Sequence, residues 1–144
     1  TPVVLIGMNI VYAAGAYPLG KLADKLPHGW LLGCGLLLLM AADVLLATSN
    51  SGWMFWLGVA LWGLHMAMTQ GLLAAMVADT APGDLRGTAY GLFNLLSGVA
   101  LLIASGLAGW LWQVFGAPFT FMAGIGFAAL ALGLLGLRAR GLPR

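Results

Sequence analysis

Charge is what this sequence has least of. Its 144 residues hold six Lys and Arg and four Asp and Glu, so charged residues make up 7% of the chain. Soluble globular domains carry roughly 25%. A water-soluble fold of this size could not cover its surface with so few ions, which excludes a soluble enzyme and a disordered chain together. One cysteine excludes a disulfide framework and a thiolate metal cage. The net charge of +2 rests on scattered cations, too few for a phosphate-binding stripe, so no nucleic-acid partner is expected. Period-two alternation is missing as well, which argues against a β-barrel. What is abundant is apolar: 62% of residues are hydrophobic and the mean hydropathy is +1.00. The composition is that of a polytopic membrane protein.

The charges mark where the chain leaves the bilayer. None falls between Val44 and Ala78, and none between Gly87 and Leu137. A spanning helix needs about 20 apolar residues, because the hydrocarbon core is ~30 Å thick. The second interval therefore holds two spans, divided at the turn signal Gln113–Pro118. The fold class expected is all-α, a transmembrane bundle of five helices over Pro2–Leu19, Trp30–Ala47, Trp53–Ala78, Thr88–Val114 and Phe119–Leu137. The loops Lys21–Gly29 and Asp79–Gly87 and the tail with Arg138, Arg140 and Arg144 carry every cation. The positive-inside rule makes that side cytoplasmic, with the C-terminus inside. Trp53, Trp56, Trp110 and Trp112 fall at the opposite ends of their helices, as an aromatic belt requires. The first residue is Thr, not Met, which suggests a piece of a longer protein.

Lipid gives helices little hydrophobic reason to associate, so small residues that let backbones approach supply much of the attraction. Gly63, Ala67, Gly71 and Ala75 recur every four residues, and so do Ala100, Ala104 and Ala108. Both stripes are expected to be helix-packing surfaces. Polar residues at membrane depth are costly unless they face protein or water, and so they mark candidate sites. His65 falls ~18 Å along its helix from Trp53, with Thr69 one turn on. It is either a neutral histidine satisfied by a neighbouring helix or a group that handles substrate or a proton, for which an imidazole is suited. Asn94 and Ser97 share a polar stripe, and Asn9 and Tyr12 share a face near mid-depth; each pair serves interhelical hydrogen bonds or a water-lined path. Asp43 is the one acid inside a span. A protonatable carboxyl there is a candidate for proton coupling, although its nearness to the helix end allows it to reach the outer interface. No nucleophile or metal set supports an intramembrane enzyme.

Two loops carry a more specific signal. Gly20-Lys-Leu-Ala-Asp24-Lys25 resembles the G-x-L-a-D-r-x-G-r motif of the major facilitator superfamily, with Pro27, His28 and Gly29 departing from its basic ending. The run from Ala78-Asp79 through Pro82 to Arg86-Gly87 is similar to that family's loop between its tenth and eleventh helices. Both matches occur in order across the chain. The resemblance implies helices eight to twelve of a twelve-helix secondary transporter working by alternating access. It implies a lipid bilayer, a small-molecule substrate and the absent N-terminal half as partners, the bacterial cytoplasmic membrane as location, and no cofactor. It also implies that Gly20, Asp24, Lys25, Asp79, Arg86 and Gly87 form a cytoplasmic gate. By the family's topology His65, Thr69, Asn9, Tyr12, Asn94 and Ser97 are substrate-cavity candidates, with His65 and Asp43 the proton-coupling candidates. A rival reading is a small membrane-integral assembly protein packed through its Gly and Ala stripes.

Overall fold

A computed structural model describes residues 2–23 and 25–141. Five helices account for nearly all of them: α1 (Pro2–Ala23), α2 (His28–Thr48), α3 (Gly52–Thr80), α4 (Arg86–Phe115) and α5 (Ala117–Gly141). All five are long and apolar enough to cross a membrane. The reason for helix is physical. Inside hydrocarbon every backbone N–H and C=O must be satisfied within the protein, and a helix does this within one segment.

The helices run further than hydropathy suggests. α1 continues through Pro18 to Ala23, although Pro18 has no N–H to return to the carbonyl four residues back. Lys21 therefore belongs to the last turn of α1, not to a loop. Its ammonium stands 4.5 Å from the centroid of the Tyr17 ring, a cation–π contact one helical turn long. Between α4 and α5 the turn shrinks to Gly116, whose φ of 86° and ψ of 174° belong to a region that is essentially glycine-only. Its N–H donates to the Trp112 carbonyl at 3.0 Å, and its own carbonyl accepts from the Thr120 N–H and hydroxyl.

Short connections make successive helices antiparallel, and close contacts fix which ones pack. α2 and α3 form the centre. Gly58 of α3 meets Leu46 and the Ala42 carbonyl at one end of the seam, and Gly35 of α2 meets Thr69 and His65 two turns further in. α1 lies parallel to α3 on its other side, with Gly7 against Trp56, Gly63 against the Met8 carbonyl, and Gly15 against Ala67. α5 runs antiparallel to α2, where Gly33 meets Leu132 and Leu135, and Gly124 meets Asp43. Met8, Leu46 and Val59 form the buried core, with Phe55, Trp62, Met66 and Phe121 packed around it.

The helix α4 stands apart. It has no buried residue, and one named contact falls near each of its ends. Near its start the Tyr90 hydroxyl donates to the Ala74 carbonyl of α3 at 3.1 Å. Near its finish Trp112 meets Phe121 of α5 edge-on, with ring centroids 6.1 Å apart. The two small-residue stripes consequently behave differently. Gly63 and Ala67 do hold α1 close, whereas no neighbour stands within 4 Å of where a Cβ on Gly71 would be. Ala100, Ala104 and Ala108 correct the expectation of a tight interface: they line an open cavity.

Candidate functional site

The residues singled out from the sequence divide among three separate surfaces. At the α2–α3 seam, His65 Nδ1 lies 2.7 Å from the Gly35 carbonyl oxygen. A carbonyl can only accept, so Nδ1 carries the proton in this bond, and a neutral ring would have its lone pair on Nε2. One turn along α3, Thr69 is 7% exposed and its hydroxyl donates to the His65 carbonyl at 2.9 Å. Its methyl packs where a Cβ on Gly35 would sit. His65 is half-buried and tied to α2. The turn of ~200° between Gly63 and His65 thus points them at different neighbours, α1 and α2.

The second surface belongs to α1. Asn9 is exposed and its amide nitrogen donates to its own helix, at the Leu5 carbonyl, 2.7 Å away. Tyr12 is half-buried beside Gly63, with its backbone nitrogen 3.4 Å from the position of a Cβ there. The third belongs to α4, where Asn94 is exposed and Ser97 half-buried. No hydrogen bond among the described residues links Asn9, Tyr12, Asn94 or Ser97 to a neighbouring helix.

At the end where α1 stops and α2 starts, His28 Nδ1 stands 3.8 Å from Asp79 Oδ2, a contact that is an ion pair only with a protonated imidazole. His28 opens α2 and Asp79 closes α3, so the pair ties the central hairpin across its open end. Lys25, Arg86 and Gly87 are exposed there, and neither Gly20 nor Gly87 has a neighbour within 4 Å of its Cβ position. Asp24 lies outside the described residues.

Asp43 departs from expectation most clearly. It is 6% exposed, and its Oδ2 stands 2.6 Å from where a Cβ on Gly124 would be. The carboxyl is turned inward against α5 and does not reach out to the headgroups. The glycine explains this, because any side chain at position 124 would collide with it. The helix end at Thr48 made Asp43 look shallow, but its partner Gly124 is ~12 Å of helix from the turn at Gly116.

Two cavities flank α4. One, of about 600 Å³, opens between the C-terminal end of α3 and the start of α4, lined by Met76, Val77, Pro82, Leu85, Leu92 and Phe93 among others. The other, about 640 Å³, lies between α2, α4 and α5 and is walled by Leu36, Leu39, Ala104, Leu107, Gly124 and Phe127 among others. Neither is lined by His65 or Thr69. Sequence reasoning missed these spaces, and it missed Gly35 and Tyr90. A tyrosine hydroxyl inside a membrane helix was the available signal for Tyr90, since such a group needs an acceptor. Gly35 had none, being one glycine among 22. No group of three or more His, Cys, Asp or Glu able to hold a metal occurs among the described residues.

Comparison with known proteins gives this arrangement a family. The chain is 35% identical over 127 residues to an uncharacterized MFS-type transporter of Methanocaldococcus jannaschii, covering 88% of the chain and 31% of that relative. It is 27% identical over 99 residues to the inner membrane transport protein YajR of Escherichia coli, covering 69% of the chain and 22% of that relative. The chain thus spans less than a third of the length of either. No solved structure matches it. The model of the Major Facilitator Superfamily matches residues 3–144, essentially the whole chain, and on that match, over five membrane-length helices, the chain belongs to the Major Facilitator Superfamily.

Proposed function

We propose that this chain is the C-terminal helical portion of a secondary transporter that moves a small solute across a bacterial cytoplasmic membrane. The observation that carries the reading is the family match over residues 3–144 on a chain with five membrane-length helices. In alternating access two bundles rock about a site near the midplane, driven by an ion gradient or by the solute's own gradient. The second bundle is the absent N-terminal half. The exposed carboxamides Asn9 and Asn94 support a partner of that kind. A polar side chain at membrane depth is costly against lipid, so these faces of α1 and α4 are suited to water, substrate or further helices. Tyr12 and Ser97 lie on the same helix faces and His65 and Thr69 at the seam between α2 and α3; all are proposed to contribute to solute handling, with Nε2 of His65 as the atom open to a proton. Asp43 is the second coupling candidate.

The charged end is proposed to be cytoplasmic and to act as the gate, with Asp24, Lys25, Asp79 and Arg86 changing partners as the inward side opens, while Gly20 and Gly87 leave room at the helix ends. The rival reading, a small assembly protein, has no observation in its favour beyond the glycine and alanine stripes, one of which lines a cavity.

The test is uptake into liposomes. The protein in its full natural length should give saturable, gradient-driven uptake of its solute, and Thr1–Arg144 alone should give none, since one partial bundle cannot enclose a site. Equal uptake by the short chain would overturn the reading.

A further inference from the structure

We infer that Asp43 is a proton-operated switch for the docking of α5 on α2: as the neutral acid it lets the two helices close, and as the carboxylate it drives them apart. The seam around it is otherwise apolar. On α5, Phe121, Gly124, Ala128, Leu132 and Leu135 follow a three- and four-residue spacing that keeps them on one helix face. Ala128 is buried, Phe121 packs on the core that includes Leu46 of α2, and Leu132 and Leu135 meet Gly33 of α2. Gly124 is where this face admits the carboxyl, whose Oδ2 stands 2.6 Å from the position of a Cβ there.

Nothing in that seam balances a negative charge. Asp43 is 6% exposed, and no hydrogen bond or ion pair to it occurs among the described residues. The helices packed on α2 bring no charge to face it. α5 has no charged residue before Arg138, ~21 Å of helix beyond Gly124. α3 carries no Lys or Arg and has Asp79 at its far end. Its His65 docks at Gly35, eight residues back along α2 and ~12 Å away. Lys21 of α1, His28 of α2 and Arg86 of α4 all belong to the charged end of the bundle. One turn before Gly124, the hydroxyl of Thr120 is spent on the Gly116 carbonyl at 3.2 Å. A carboxylate removed from water without a partner is strongly unfavourable, and a neutral acid costs far less. When α5 withdraws, the carboxyl has a way out. It lies five residues before α2 ends at Thr48, little more than one turn, where water and headgroups reach it. Docking therefore takes up one proton, so it strengthens as pH falls and weakens as pH rises.

This inference concerns how two helices pack and does not depend on the transport reading, so the two can fail separately. The experiment is the folding equilibrium of the full-length protein in micelles from pH 5 to pH 8, compared with Asp43→Asn, whose amide is uncharged throughout. Relative to that variant, the wild-type folding constant should fall as pH rises, by up to tenfold per pH unit, the limit for one proton. Asp43→Ser, smaller and also uncharged, should behave like Asp43→Asn and keeps the test meaningful if the amide fails to pack. Gly124→Ala should destabilise the wild type and cost much less in the Asp43→Ser protein, where no carboxyl meets the new methyl. A ratio of wild type to Asp43→Asn that is the same at every pH would overturn the inference. So would a wild type that gains on the variant as pH rises, which is how a carboxylate with a cationic partner behaves. An equal cost of Gly124→Ala with and without Asp43 would remove the contact on which the switch rests.

Discussion

His65 and Gly35 join the two central helices through one hydrogen bond, 2.7 Å from Nδ1 to the carbonyl oxygen. The carbonyl belongs to a glycine, and that matters. Without a Cβ at position 35, α3 comes close enough for an imidazole to reach the backbone of α2 past the methyl of Thr69. The histidine is thus pinned through one nitrogen and open at the other.

Replacing His65 by Phe keeps a ring at the seam and removes the bond. Interhelical hydrogen bonds in membrane proteins are worth about 0.6–2 kcal/mol. A loss of that size is expected in the unfolding free energy of the full-length protein in micelles, followed by helical circular dichroism. No loss would show that the bond contributes nothing to the packing.

Gly35→Ala should destabilise by about 1–3 kcal/mol, the usual range for overpacking, because the new Cβ would lie 2.6 Å from the Thr69 methyl carbon. Thr69→Ser removes that methyl and keeps the hydroxyl that donates to the His65 carbonyl. The double variant Gly35→Ala with Thr69→Ser should recover much of the loss. Simple additivity of the two single changes would show that they do not meet.

Gly63→Ala and Gly71→Ala make the same chemical change two turns apart on α3. At Gly63 the added Cβ would stand 2.7 Å from the Met8 backbone oxygen, which cannot move aside without shifting α1. At Gly71 it would meet nothing within 4 Å. The first should lower the thermal midpoint by several degrees, and the second should leave it unchanged or raise it, since alanine is the better helix former. Equal effects would contradict the packing of α1 on α3.

Gly116→Ala forces a side chain into a backbone conformation with φ 86° and ψ 174°. The expected cost is about 1–3 kcal/mol, read as reduced stability with the helix content preserved. A fully stable variant would mean that the α4–α5 turn relaxes into another shape.

Asp79→Asn removes one partner of the His28 pair. The carboxylate side is 68% exposed and such surface pairs are worth ~0–1 kcal/mol, so stability should change by less than about 1 kcal/mol. If this end is the gate, labelling of a cysteine introduced nearby should nonetheless change in the full-length protein. Unchanged labelling in Asp79→Asn and in Asp24→Asn would leave both as ordinary loop residues.

The architecture was legible from composition because a bilayer restricts the choices so strongly. With ten formal charges confined to a few points and uncharged stretches long enough to span, five helices were the one arrangement that satisfied every backbone group. The turn at Gly116 was legible for a related reason, since a glycine two residues before a proline marks where one helix stops and the next starts. Side-chain direction was not. Helical spacing showed that Gly63 and His65 face apart, but it could not say that one meets α1 and the other α2. The alanine stripe of α4 looked like the glycine and alanine stripe of α3, yet Gly63 and Ala67 are packed against α1 while Ala100, Ala104 and Ala108 line a cavity.

The scarcity of charge by itself determined that the chain lies in a membrane, how many times it crosses, and where its loops fall. Those are properties of single segments, fixed by the transfer of each from water to lipid. Tertiary structure alone decided what each polar residue touches. His65 became a tie between helices because Gly35 stands opposite. Asp43 became a buried carboxyl against α5 because Gly124 stands opposite. Which glycine faces which side chain depends on how whole helices pack, and no local pattern in either helix records it.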